Sequence, residues 1–266
     1  MQFFDTHTHL DYVAQDLNLS ISELVANAKQ AQVERILVVA IFAKNFEKVT
    51  ACSLAEPQHI VYGLGLHPLY IQQHQHSDLD LLEKRLAQRD RHCTAIAEIG
   101  LESAVAEVAT PDLWHKQCEF LEAQLAFAKR FDLPVNLHSR KSHDQLSVFL
   151  KKAQLNKTGV VHGFAGSYDQ AKRFVDLGYK IGVGGTITYQ RANKSREAIR
   201  KLPLDSLLLE TDAPDMPVFG FQGQPNRPER LRVSFDALCQ LRTEPPEQIA
   251  ETIWQTSERL FWLNPT

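Results

Sequence analysis

Asp5-Thr6-His7-Thr8-His9 closes the first stretch of the chain that reads as a β-strand. On extended backbone, residues two apart share a face, so the imidazoles of His7 and His9 can converge on one cation. An H-x-H step alone is a weak signal, because two hydrogen-bonded histidines give the same pattern. Four further apolar segments, however, also end in ligand types. Glu98 follows Ala95-Ile96-Ala97, His138 follows Leu133-Pro134-Val135-Asn136-Leu137, His162 follows Gly159-Val160-Val161, and Asp212 follows Leu207-Leu208-Leu209-Glu210-Thr211. A carboxylate at the end of so apolar a run is costly to bury without a partner.

These six donors exceed what one zinc-like ion with an open position needs. They suit two divalent cations that share a carboxylate. Strand order divides them, with His7, His9 and Asp212 on one ion, His138 and His162 on the other, and Glu98 bridging. Two ions about 3.5–4 Å apart can generate hydroxide at neutral pH and stabilise charge developing on a scissile group. Asp212 is the best candidate to accept the water proton, so Asp212 and Glu98 are the expected catalytic carboxylates. The mixed nitrogen and oxygen set favours Zn2+ or Mn2+ over Mg2+.

A second tier of residues has two readings each. Arg140, two residues past His138, can grip a phosphate oxygen through its fork of donors, or can partner a carboxylate. His67, before Pro68, is either a substrate-binding or proton-transfer residue or a structural histidine. Arg191, Lys194, Arg196, Arg200 and Lys201 follow the seventh strand, where barrels often bind phosphate, yet they also read as one solvated helix face. Arg227 and Arg230 share that ambiguity. Tyr189 and Phe219 can stack on bases or pack in loops. His74, His76 and His143 are expected at the surface, and His59, His92 and His115 carry no functional expectation.

Something must hold these residues at one end. Candidate strands are Phe3–His7, Arg35–Ile41, Ile60–Leu66, Thr94–Ile99, Val135–His138, Gly159–His162, Lys180–Val183 and Leu207–Thr211, with helical patterns between them. Ser20 with Glu23, Ser142 with Gln145, and Ser167 with Gln170 read as capping boxes, and Gly178 closes the helix begun at Ser167. Thr110-Pro111 opens a long helix to about Phe131, and late helices are expected over Pro228–Leu241 and Pro246–Leu260. Eight strands alternating with helices predict an α/β fold, a single-domain (β/α)8 TIM-like barrel over residues 1–266, close to the usual size of about 250 residues. A doubly wound open sheet is the structural alternative, but no G-x-G-x-x-G and no G-x-x-x-x-G-K-[ST] loop occurs.

Composition narrows the functional classes. The 266 residues carry 29 Lys and Arg against 32 Asp and Glu, a net charge of −3, with 44% hydrophobic residues. That balance argues against a broad electrostatic hold on nucleic acid and leaves local phosphate contacts open. The longest apolar stretch, Ile36–Ala43, falls far short of the roughly 20 residues that span a bilayer. With no basic N-terminal region and four scattered cysteines, a reduced, cytoplasmic setting is the expectation.

Taken together, the motifs resemble the TatD family of metal-dependent hydrolases, within the amidohydrolase-like barrels. The resemblance runs through Phe3–Asp11, Gly65-Leu66-His67-Pro68, Ala97–Leu101, Leu133–Arg140, Val161–Phe164 and Leu208–Pro214. Lys180–Tyr189 and Gly220–Pro228 are similar to the YjjV branch. The resemblance implies a TIM-like barrel, a two-cation site on the six donors, and metal-dependent deoxyribonuclease activity, including 3′-to-5′ removal of nucleotides from single strands. Departures fall outside those donors. Glu102 stands where the family usually has Asp, Ser142 replaces a usual Ala or Thr, and a frequent Asn is missing before Leu260-Phe261. The leading expectation is therefore a nuclease that binds DNA weakly and locally, with no membrane and no obligate protein partner. The alternatives are the same centre acting on a small ester, lactone or amide, and a non-catalytic metal- or partner-binding protein.

Overall fold

Short runs rich in Val, Ile and Leu form eight parallel strands in the computed structural model, which describes residues 1–262. They are β1 (Phe3–Thr8), β2 (Val33–Val39), β3 (Ile60–Leu64), β4 (Cys93–Glu102), β5 (Val135–Arg140), β6 (Gly159–Val161), β7 (Lys180–Val183) and β8 (Leu207–Leu209). Each pairs with the next in sequence order. The sheet then curls until β8 meets β1. There the Asp212 N–H donates to His7 O at 2.9 Å and the Thr6 hydroxyl donates to Leu209 O at 2.8 Å. The buried Asp5 carboxylate accepts from the Thr211 N–H and hydroxyl at 2.9 and 2.6 Å. This closure gives the single-domain TIM-like barrel and removes the open-sheet alternative.

Ten helices surround the strands among the described residues: α1 (Leu10–Leu17), α2 (Ile21–Gln30), α3 (Phe46–Ala55), α4 (His76–Ala87), α5 (Pro111–Phe131), α6 (His143–Ala153), α7 (Tyr168–Asp176), α8 (Asn193–Lys201), α9 (Leu231–Leu241) and α10 (Pro246–Phe261). None is long and apolar enough to cross a membrane. Side chains alternate along each strand, so one set faces the helices and the other fills the barrel. Phe3, Ile36, Ile60 and Ile96 join the larger apolar cluster, where Phe3 meets Phe235 of α9 at 4.7 Å between ring centroids. Phe4, Leu37, Val39, Val61, Ala95, Ala97, Val160 and Leu208 form a second cluster, joined by Trp254 and Phe261 of α10. Space there is tight: a Cβ on Gly63 would stand 2.7 Å from Ala97 Cβ.

Several element boundaries differ from the sequence reading. The Ser20 and Ser167 capping boxes are present, but Ser142 caps nothing; its hydroxyl donates to Leu101 O at 2.8 Å, so it ties the start of α6 to β4 instead. Strand β4 continues to Glu102, three residues past the expected end, because it keeps pairing with β5 as far as Arg140. Strand β8 stops at Leu209, and the late helix starts at Leu231 after a short turn at Pro228–Arg230.

One helix face had no sequence signal. Gln117 and Gln124 lie seven residues apart on α5, two turns along the same side. Gln124 accepts from Leu66 N–H at 2.8 Å and donates to Leu66 O at 3.3 Å. Gln117 does the same for Glu102, at 2.8 and 3.1 Å. A single helix thereby registers the chain at the ends of β3 and β4.

Candidate metal centre

All six expected donors arrive at the carboxyl end of the barrel. His7 and His9 come from the end of β1, Glu98 from β4, His138 from β5, His162 from just past β6, and Asp212 from just past β8. Asp212 has φ +55°, a left-handed conformation that costs a non-glycine residue of order 1 kcal/mol. Glu98 lies at the middle and divides the imidazoles between its two oxygens. Its Oε2 is 3.2 Å from His7 Nε2 and 3.4 Å from His9 Nε2. Its Oε1 is 3.1 Å from His138 Nδ1 and 2.7 Å from His162 Nε2. Asp212 Oδ1 sits 3.3 Å from His7 Nε2 and 3.7 Å from His9 Nε2. The two oxygens of Glu98 thus part His7 and His9 from His138 and His162, while His162 also stacks on His7 at 3.8 Å between ring centroids.

Neighbouring groups decide which nitrogen each ring presents. Asn136 donates to Thr6 O at 2.8 Å, which turns its Oδ1 to His7 Nδ1 at 2.9 Å. His7 Nδ1 is therefore a donor, and its Nε2 lone pair faces the centre. His9 Nδ1 lies 3.2 Å from Val39 O, with the same consequence. His67 is the opposite case: Leu69 N–H donates to its Nδ1 at 3.0 Å, so its proton is on Nε2, 2.7 Å from Glu98 Oε1. That places His67 as a hydrogen-bond donor to the centre, although its ring lies among the potential ligand groups.

The donor chemistry fits a cation. His7 Nε2 and Glu98 Oε2 are buried, lack any hydrogen-bond partner and stand 3.2 Å apart. Ligand atoms of His7, Glu98 and His162, and again of His7, His9 and Asp212, lie within 4.8 Å of one another. Above them opens a cavity of about 610 Å³, with Tyr12, Tyr70, Asp16, Asp215 and Arg140 among its walls.

A family model described as TatD-related DNase matches residues 4–262. The chain belongs to the TatD family. This TatD-family chain is 62% identical over 261 residues to an uncharacterized metal-dependent hydrolase of Haemophilus influenzae, covering 98% of this chain and 100% of the relative. It is 49% identical to the uncharacterized metal-dependent hydrolase YjjV of Escherichia coli over 98% of each chain. The crystal structure of Escherichia coli YjjV superposes with a TM-score of 0.92, at 48% identity and 97% coverage of both chains. A human relative named deoxyribonuclease TATDN3 is 29% identical over 97% of this chain and 93% of its own.

In this TatD-family chain the cluster is strongly polarised. Burial works against charge on every member, and the pairings then separate them. Glu98 is held well below the usual carboxylate range by His67, His162 and His7, which outweigh its burial. Burial opposes ionisation of Asp212 too, but the neighbouring imidazoles of His162, His7 and His9 keep it low. His138, against its burial, is pushed up to about 9 by Glu102 and Glu98. His67 falls to about 4 because burial outweighs Glu98. Beneath the centre, burial raises Asp5 to about 7 and Glu210 to about 8.

The second tier resolves unevenly. Arg140 lines the cavity, 57% exposed, and partners a carboxylate at 3.4 Å, that of Glu102. The basic run after β7 is mostly occupied: Arg200 and Lys201 pair with Glu197, and Arg196 bonds Ile187 O. Arg230 is buried, donating to Pro225 O at 2.7 Å and Gln224 Oε1 at 2.8 Å. Tyr189 and Phe219 pack edge-to-face at 5.8 Å, with Phe219 exposed. Two histidines expected at the surface are buried, because local acceptors and rings enclose them. His74 Nε2 lies 3.0 Å from His67 O, while His143 spans Ser139 Oγ at 2.7 Å and Ala165 O at 3.2 Å and stacks on Phe164. Asn136 and Glu102 went unassigned as orienting groups. Asn136, a polar residue inside an apolar strand two positions before His138, was the available signal.

Proposed function

We propose that this TatD-family metal-dependent hydrolase cleaves phosphodiester bonds, with single-stranded DNA as its substrate and nucleotides released 3′ to 5′. The observation that carries this reading is the convergence of four imidazoles and two carboxylates on the floor of a cavity with Arg140 at its wall. The direction of attack is what the family resemblance implies, and the human relative's printed name supports DNA.

On this reading His7, His9 and Asp212 would hold one cation and His138 and His162 a second, with Glu98 shared between the two sets. Divalent cations there supply positive charge to the scissile phosphate and ease the ionisation of water. The remaining work belongs to the chain. Asp212, kept ionised by its imidazole neighbours, accepts the proton of the attacking water. His67, whose Nε2–H is held by Glu98 Oε1 at 2.7 Å, positions that carboxylate at the edge of the cavity, and Arg140 grips a non-bridging phosphate oxygen. With a net charge of −3 and Asp16 and Asp215 on the cavity wall, DNA is held weakly and locally.

Those same acids favour a second reading. Among the described residues that line the cavity, Arg140 is the only lysine or arginine, which also suits a small ester, lactone or amide carrying one anionic group. The test is purified protein loaded with Mn2+, Mg2+ or Zn2+ and given 3′-labelled single-stranded DNA beside a panel of small esters, lactones and amides. Nucleotide release that Asp212→Asn lowers by about 10²–10⁴ supports the nuclease. Release that survives the substitution sinks the mechanism, turnover of the panel alone selects the second reading, and silence on everything with metal bound selects a binding protein.

A further inference from the structure

Glu102 ends β4 fully buried, and no step above uses it. Its carboxylate nevertheless has four partners. One oxygen accepts the backbone N–H groups of Ala104 and Val105, at 2.5 and 3.3 Å. The other lies 3.1 Å from His138 Nε2 and 3.4 Å from Arg140. Behind it, Gln117 fixes both backbone polar groups of the same residue. The side chain is thus anchored on the protein side and offers its remaining oxygen to two groups that face the cavity.

From this geometry we infer that Glu102 is a positioning residue: one oxygen makes His138 present Nδ1 to the centre and also sets where Arg140 waits for the substrate's anion. The inference rests on the metal-hydrolase reading. A carboxylate accepting the Nε2–H leaves the Nδ1 lone pair directed at Glu98, and a negative partner makes the ring a better donor to a cation. No neutral side chain of the same shape replaces it. Glutamine has one acceptor oxygen, so it can serve the Ala104 and Val105 amides or the His138 and Arg140 pair, never both.

The test uses the full-length chain freed of metal and titrated calorimetrically with Mn2+. In Glu102→Gln the binding step assigned to His138 and His162 should weaken by about 10- to 100-fold, while the step at His7, His9 and Asp212 holds. Glu102→Asp keeps two acceptor oxygens and should recover most of the loss. Arg140→Gln should raise KM for the DNA without moving Mn2+ affinity, whereas Glu102→Gln moves both. Nitrogen NMR of the zinc-loaded wild type should find His138 protonated on Nε2. Wild-type Mn2+ affinity in Glu102→Gln, equal losses in the Asp and Gln variants, or a proton on His138 Nδ1 each overturns the inference. If the wild type takes up no Mn2+ at all, the metal-hydrolase reading itself fails.

Discussion

Replacing Gln124 with leucine removes the clamp on Leu66 while nearly preserving side-chain volume. Leu66 loses the acceptor of its N–H at 2.8 Å and the donor to its carbonyl at 3.3 Å, in a residue only 2% exposed. A buried polar group without its partner costs about 1–3 kcal/mol, so two cost about 2–6. The new methyl groups return about 1–2 kcal/mol of apolar burial. The net loss centres on about 2.5 kcal/mol, a melting point lower by about 5–10 °C for a chain of this size. Urea unfolding in excess chelator measures it without cation binding masking the result, and Gln248→Leu on the exposed side of α10 serves as a control expected within about 0.5 kcal/mol. Because Leu66 precedes His67, kcat should fall as well. A loss below about 0.5 kcal/mol would show that the glutamine does not register β3, and the same reasoning about Gln117 would fall with it.

Two further outcomes follow from burial and from the donor cluster. Burial lowers the pKa of His143 below its usual 6.5, so the folded protein keeps it neutral where the unfolded chain binds a proton. Its contribution is intact above 6.5 and is lost as pH falls through the folded value; His143→Gln should narrow the gap in melting temperature between pH 7.5 and 5.5, and an unchanged gap would refute this. Chelation should lower the melting temperature and Mn2+ restore it, since a ligand at 100 times its Kd adds about 2.7 kcal/mol; indifference to chelator would count against a cation at this cluster.

The barrel was legible because buried parallel strands have short β-branched runs and the intervening helices carry caps and periodicity. The donors were legible for a related reason: a histidine or carboxylate ending an apolar run has few bland explanations, as Glu98 and His162 illustrate. What escaped was whatever depends on a distant partner. Gln117 and Gln124 look like ordinary helix residues until the ends of β3 and β4 stand beside them. His143 sits at a helix start, a location that suggests exposure, yet Ser139, Ala165 and Phe164 enclose it. Ser142 had the spacing of a cap and a better acceptor across the sheet.

The seam between β8 and β1 joins Asp5 to Thr211, 206 residues away, and sets Asp212 beside His7. During synthesis at about 5–20 residues per second, the first strand therefore waits roughly 10–40 s for its last neighbour to be made. Throughout that interval one edge of β1 lacks its strand partner, the condition that invites pairing with another chain. The histidines on β1 also lack Asp212 until the barrel shuts. A ribosome-bound fragment ending before β8 would be expected to aggregate more readily than the finished chain and to hold cations poorly, so ribosome pausing late in the message would endanger this protein more than pausing early.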